Sequence, residues 1–321
     1  MNGNNSTYGK ITTGVPQGSV LGPLLFLIYI NDLPLYLDKN IKTNIFADDT
    51  SLHVADNNIH NLNNILQTAI EQVNEWCNKN NMIIHPDKTK SMIITPWQKQ
   101  MLRPLNLNLT LNSKIIKQVN EHQVLGIKID SNLLWREDLK MISKRLSKNT
   151  FLLSKLRRYC TPPALKIFFE ANINSHINYS FSILDGCSED VKKLTNSLHR
   201  RAIKFIDNTQ NLSTEEKYKK LDILPLNAQL QFNKACMIYK ILNNKAPKYL
   251  TPLIKKASTR YGSYRLIPLL PRIDLVKNNS LACSGTALFN KLPVKVKNSN
   301  SLKLFKTTLY TFLKKGSIDN Y

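Results

Sequence analysis

Asp48 and Asp49 stand side by side in the stretch Phe46-Ala47-Asp48-Asp49-Thr50-Ser51-Leu52. Adjacent carboxylates repel unless a cation lies between them, and a hard oxygen cluster is what Mg2+ or Mn2+ prefers. Two such ions about 3.5–4 Å apart stabilise both the attacking and the leaving oxygens of a phosphoryl transfer. The same dipeptide is also ordinary solvated turn chemistry, so the surrounding elements have to decide. Ile45, Phe46 and Ala47 lead in, and Leu52 and Val54 lead out, which predicts a short hairpin with the Asp pair at its tip. Side chains alternate along a strand, so Asp48 and Asp49 are expected to point to opposite sides.

Upstream, Gly14-Val15-Pro16-Gln17-Gly18-Ser19 reads as a loop whose backbone can approach a ligand closely. It runs into an apolar helix, Leu24-Leu25-Phe26-Leu27-Ile28-Tyr29-Ile30, ended by Asn31-Asp32 and Pro34. Alone, this is a Pro-bearing turn before a buried helix. Together with the Asp pair, the stretch resembles the polymerase motif of non-LTR retrotransposon reverse transcriptases, the LINE-type and jockey-like elements.

That resemblance implies an α+β fold, a partial polymerase palm of antiparallel strands with packed helices, followed by a mainly helical thumb and a helical C-terminal region. It places Asp48 as a metal ligand for Mg2+ (or Mn2+), with Asp49 its less essential neighbour. Phe46 and Ala47 stand in the family's aromatic-x-Asp-Asp pattern, and Pro16, Gln17 and Gly18 would lie against the incoming nucleotide and template. His85-Pro86-Asp87-Lys88-Thr89-Lys90 resembles a family turn whose lysine assists pyrophosphate departure, making Lys88 the candidate acid. A solvated lysine in a hairpin turn is the plainer alternative. The stretch from His122 to Asp130 resembles the strand that grips the primer, with Leu125 and Gly126 at its centre. The implied partners are an RNA template, a DNA primer and deoxynucleoside triphosphates. The implied reaction is attack of the primer 3′ hydroxyl on the nucleotide α-phosphorus. The family's fingers and an earlier palm motif with another metal-binding Asp are expected upstream of Met1, so the chain alone is expected to be inactive. The alternative is a relic that only binds nucleic acid.

The chain's net charge of +23 is unevenly spread. Residues 1–130 hold eleven Lys and Arg against ten Asp and Glu, whereas residues 131–321 hold thirty-four against twelve. An excess that begins after the Asp pair suggests where a nucleic-acid backbone would lie. Lys-rich surfaces also serve solubility. The five cysteines are far apart with no Cys-x-x-Cys spacing, which points to neither a disulfide framework nor a zinc knuckle. The apolar run at residues 20–30 is shorter than the roughly 20 residues a membrane span needs, and no signal peptide is visible. An intracellular protein, nuclear or cytoplasmic and not secreted, is the expectation.

Three regions follow: a partial palm with the primer-grip strand over 1–130, a thumb helix over 131–160, and a helical, basic C-terminal region over 161–321. Ile59, Leu62, Ile65, Leu66, Ala69, Ile70, Val73 and Trp76 recur at three- and four-residue steps. They predict a long amphipathic helix capped by Asp56 or Asn57, packed under the hairpin, with Trp76 in the core. Leu105, Leu107, Leu109 and Leu111 alternate with polar residues and predict a strand. In the thumb helix, Leu139, Ile142, Leu146, Leu153 and Leu156 form an apolar stripe beside Arg136, Lys140, Lys144 and Lys148. That row of cations suits a template–primer backbone. Further helices are expected after Pro162, Ser188, Ser213, Pro225 and Ser301, the last with Leu302, Phe305, Leu309 and Phe312 inward.

Overall fold

The computed structural model describes residues 14–15, 18–96, 98, 105–258, 264–268 and 280–316. The chain divides into two units, residues 1–122 with 130–133, and residues 123–129 with 134–321. Helix and small, mostly antiparallel sheets are mixed, compatible with the α+β class.

The first unit is built on α3 (Ile59–Lys79), after α1 (Gly22–Ile30), α2 (Leu33–Tyr36) and the ribbon of β1 (Lys42–Phe46) and β2 (Asp49–His53). Asn58, rather than Asp56 or Asn57, caps α3: its Oδ1 accepts from the His60 amide at 2.9 Å. Asp56 instead accepts from the Asn58 amide at 2.7 Å and fixes the entry to the cap. Successive turns of the apolar face serve different partners. Ala69, Ile65 and Val73 meet Leu37, Ile41, Leu52 and Val54, so the helix does underlie the hairpin. Trp76 joins Ile30 and Leu33, with its Nε1 donating to Asp32 Oδ1 at 3.2 Å.

Ile59, Leu62, Leu66 and Ile70 pack on Leu107, Leu109, Leu111 and Ile116. The alternation from Leu105 to Leu111 holds, but only β4 (Thr110–Leu111) is a strand, paired with β5 (Lys114–Ile115). The backbone before it is satisfied by side-chain amides. Leu107, Asn108 and Thr110 donate to Gln118 Oε1 at 2.7 Å, Asn63 Oδ1 at 2.7 Å and Gln67 Oε1 at 2.9 Å. Backbone pairing reaches back only to Leu109, whose carbonyl accepts from the Ile116 amide at 2.8 Å, and the residues before it have the strand pattern without a ladder. β3 (Lys90–Ser91) pairs in parallel with β6 (Lys117–Gln118), a departure from the antiparallel expectation.

The α1 helix is not the buried element its composition suggests. Gly22 and Ile30 are buried, whereas Leu24, Leu25, Leu27, Ile28 and Tyr29 are exposed. Its apolar residues run all round the helix, so the described residues of the first unit cover only part of it.

Residues 121–130 form the hairpin of β7 (Glu121–Val124) and β8 (Ile127–Asp130), so the expected primer-grip strand is a pair of strands. In the second unit α4 (Arg136–Leu156) is followed by α5 (Pro162–Phe169), a π-helical turn Glu170–Asn174, α6 (Ser175–Tyr179), α7 (Phe181–Asp185) and α8 (Glu189–Ile206). Leu139, Ile142, Leu146 and Leu153 form one core with Phe169, Ile173, Ile177, Leu198 and Ile203. In α9 (Thr214–Leu221) the capping box is complete: Ser213 Oγ accepts from the Glu216 amide at 3.2 Å, and Glu216 accepts from the Ser213 amide at 2.7 Å.

α10 (Leu226–Leu242) contributes to both cores of this unit, Leu226 and Leu230 to the first, Ala235 and Ile238 to the second. Within the helical region expected over 161–321, β9 (Ile254–Ser258) and β10 (Tyr264–Pro268) form an antiparallel pair. Leu266 is buried there, and the Asn290 amide bonds both its N–H and its C=O at 2.9 Å. That side chain belongs to α11 (Leu281–Lys291), which α12 (Val294–Lys297) and α13 (Leu302–Lys315) follow. In α13 Phe305, Leu309 and Leu313 are fully buried and Phe312 only partly.

Candidate functional site

In the β1/β2 ribbon Phe46 pairs with Asp49, Ile45 with Thr50 and Thr43 with Leu52. The turn is therefore Ala47-Asp48, one residue earlier than a tip made of the two Asp residues. Asp49 is already a strand residue. Ala47 has φ +51°, a region that favours glycine and costs an L-residue about 1–2 kcal/mol. Phe46, Ala47, Asp48 and Asp49 are all exposed, Phe46 at 63%. Gly18 is exposed with φ +79°, whereas Pro16 and Gln17 lie outside the described residues.

Carboxylate oxygens at the turn are the right donors for a hard divalent ion, but a two-metal centre needs more of them. Among the described residues no group of three or more His, Cys, Asp and Glu side chains gathers where it could hold a metal ion. Asp32 is engaged by Trp76, Asp38 Oδ1 accepts from the Asn40 amide at 3.0 Å, and Asp56 braces the α3 cap. The described residues fit the ions in donor type and fall short in number.

Lys88 lies in a turn closed by the amides of Lys88 and Thr89 on the His85 carbonyl, at 3.2 and 3.1 Å. The turn does not join a hairpin, since Lys90–Ser91 pairs with Lys117–Gln118 instead of residues 82–84. Lys88 is exposed and its side chain makes no hydrogen bond among the described residues, whereas Lys90 Nζ donates to the Asp87 carbonyl at 2.6 Å.

Leu125 and Gly126 form the two-residue turn of the β7/β8 hairpin, with φ +48° and +82°. Positive φ at both central positions is the signature of the type I′ turn that matches strand twist. Leucine is strained at the first of them. Two side chains that local sequence signals do not reveal hold this hairpin. The Tyr179 hydroxyl donates to the Leu125 carbonyl, and the Lys128 amide donates to Asp138 Oδ1 at 2.9 Å. Asp138 is 2% exposed, and its Oδ2 has no hydrogen-bond partner.

Arg136, Lys140, Lys144 and Lys148 are all exposed on α4, opposite its buried stripe. Lys140 is committed to Glu137, at 2.5 Å, and this hydrogen bond holds the Glu137 carboxyl below its usual range. Arg136, Lys144 and Lys148 have no acidic partner among the described residues. Farther along, Phe151 is exposed with Lys155 Nζ 5.2 Å from its ring centre. No helix among the described residues is long and apolar enough to cross a membrane.

Residues 1–129 match the family described as reverse transcriptase (RNA-dependent DNA polymerase). Over 138 residues the chain is 30% identical to the probable RNA-directed DNA polymerase from transposon BS of Drosophila melanogaster, covering 41% of this chain and 15% of that protein. It is 26% identical over 179 residues to the RNA-directed DNA polymerase from mobile element jockey of Drosophila funebris, covering 52% and 19%. A third relative is a retrovirus-related Pol polyprotein from type-1 retrotransposable element R1 2 of Nasonia vitripennis. It is 24% identical over 147 residues, covering 45% and 36%. The match thus spans a minor part of each relative's length. The family match takes in the Asp48 turn, Lys88 and the Leu125-Gly126 turn, and ends before the cations of α4.

Proposed function

We propose, on the premise that residues 1–129 belong to the reverse transcriptase family, that this chain is part of an RNA-directed DNA polymerase of a non-LTR retrotransposon. It would work on an RNA template, a DNA primer and deoxynucleoside triphosphates. The observation that carries the reading is a family match that takes in a hairpin whose turn presents Asp48 to solvent.

The residues divide the work as follows. Asp48 offers a carboxylate to a divalent-metal site, with Asp49 at its side. Phe46 and Ala47, with Pro16, Gln17 and Gly18, form the wall against nucleotide and template. Lys88, exposed and unpaired, gives a proton to the departing pyrophosphate. The Leu125-Gly126 turn meets the end of the primer. Arg136, Lys144 and Lys148 neutralise backbone phosphates, with Lys140 in a lesser role because Glu137 competes for it.

Because the described carboxylates fall short of a two-metal set, this reading draws its further ligands from outside the described residues and expects the chain alone not to extend a primer. Primer extension on an RNA template with Mg2+ tests this. We expect no product above background. Extension that disappears in Asp48→Ala would show that the site is complete within this chain. The same shortfall, with the uneven charge, favours one second reading: a chain that holds nucleic acid without catalysis. It predicts duplex binding that Asp48→Ala leaves unchanged with or without Mg2+, whereas the polymerase reading predicts a Mg2+-dependent gain that Asp48→Ala removes.

A further inference from the structure

We infer that Tyr179, on a helix 54 residues downstream, is a positioning residue for the primer end, acting through the Leu125-Gly126 turn. The inference rests on the primer-grip reading of that turn.

The turn poses a conformational problem. Two successive residues with φ of +48° and +82° include a leucine, where the first position of such a turn ordinarily takes asparagine, aspartate or glycine. A strained turn persists where its surroundings over-determine it. Added side-chain volume from neighbours does not supply the constraint at Gly126, since a Cβ built there would meet nothing within 4 Å. Ile127 packs on the core beside the turn, and the constraint on the turn's own peptide is polar. Tyr179 donates its hydroxyl to the carbonyl of the strained leucine itself, and Asp138 accepts the amide of Lys128 two residues beyond Gly126. One bond fixes the orientation of the peptide plane inside the turn, the other fixes the strand leaving it.

The chain places Tyr179 there by an irregular helix. Between α5 and α6 the π-helical turn Glu170–Asn174 shifts the frame of the residues that follow. Ile173 and Ile177 remain fully buried while Tyr179 is directed outward, 57% exposed. An exposed tyrosine with its hydroxyl spent on a strained turn contributes little apolar burial, so its hydroxyl is the part that matters. A rigid turn is what a primer end needs, because a displacement of about 1 Å at a reacting group can cost two orders of magnitude in rate.

The test uses the full chain and an RNA template–DNA primer duplex with 2-aminopurine at the primer's 3′ terminus and a dye at the opposite end. Tyr179→Phe removes only the hydroxyl. We expect unchanged dye-reported affinity, loss of the 2-aminopurine signal, and amide exchange at residues 126–128 faster by about three- to tenfold, as for one lost hydrogen bond. Unchanged exchange overturns the inference whatever the turn does for function. Faster exchange with an unchanged primer-end signal overturns the positioning role. Gly126→Val separates the two layers: if the wild-type chain gives no primer-end signal, or Gly126→Val leaves it intact, the primer-grip reading fails and Tyr179's role falls with it.

Discussion

Phe46 and Asp49 face each other across the β1/β2 ribbon, which makes Ala47-Asp48 the turn and puts a left-handed alanine immediately before the candidate ligand. The left-handed conformation costs an L-residue about 1–2 kcal/mol. Glycine loses about 0.5–1 kcal/mol more backbone entropy on folding. Ala47→Gly should therefore stabilise the first unit by about 0.5–1 kcal/mol. Ala47→Val should destabilise it. Urea unfolding followed by fluorescence in a chain that keeps Trp76 and carries Phe at the other two tryptophan positions reads both, and a loss of stability in Ala47→Gly would contradict the turn geometry.

In the second unit a Cβ on Gly285 would lie 2.8 and 2.9 Å from Ile238 Cδ1 and Cγ1. Gly285→Ala should cost about 1–3 kcal/mol by overpacking. A substitution without effect on the urea midpoint would mean that the α10 and α11 helices do not approach this closely.

Lys234 is 7% exposed and its Nζ is 2.6 Å from Asp185 Oδ2. Removing the acid strands a buried cation, so Asp185→Ala should cost about 3 kcal/mol. Lys234→Met, which removes the charge and keeps the volume, should cost clearly less. Equal losses in the two variants would mean that Lys234 reaches solvent when its partner is removed.

His199 is fully buried between Phe169 and Tyr218, with Nδ1 2.6 Å from the Tyr218 hydroxyl. Burial pushes its pKa down to about 3. The unfolded chain binds this proton near pH 6.5 and the folded chain does not. The histidine's contribution is thus intact above about pH 6.5 and is lost as pH falls toward 3. Stability of the second unit should drop by about 2 kcal/mol between pH 7 and pH 5. His176, shifted the same way by burial and by Arg145, adds to the trend. In His199→Phe the pH dependence should shrink whatever happens to the baseline, and an undiminished slope would assign it elsewhere.

The helices were legible because their signals are local. Three- and four-residue spacing marks Ile59 to Trp76, and Ser213 with Glu216 marks a helix start within four residues. Of the candidate site, the Asp48 hairpin was legible from its flanking apolar residues, but its register depended on which residue would take the left-handed position, and alanine announces no such preference. The extended stretch from Leu105 to Thr110 kept its alternation yet met side-chain amides of Asn63, Gln67 and Gln118. Period-two patterning reports which side is buried and leaves the backbone's partner open. The β9/β10 hairpin and the Tyr179–Leu125 bond depend on residues 24 and 54 positions away, beyond any local pattern.

The central claim, that the cations of α4 hold the backbone of a template–primer duplex, is tested most directly by the salt dependence of RNA–DNA duplex affinity. Wild-type affinity should fall steeply with log salt. The slope of Arg136→Gln/Lys144→Gln/Lys148→Gln should be shallower by roughly 2–3, at about 0.9 for each phosphate neutralised. Adding Lys140→Gln should change it little, because Glu137 already occupies that lysine. Binding that is absent or independent of salt, or a triple variant with the wild-type slope, would contradict the account.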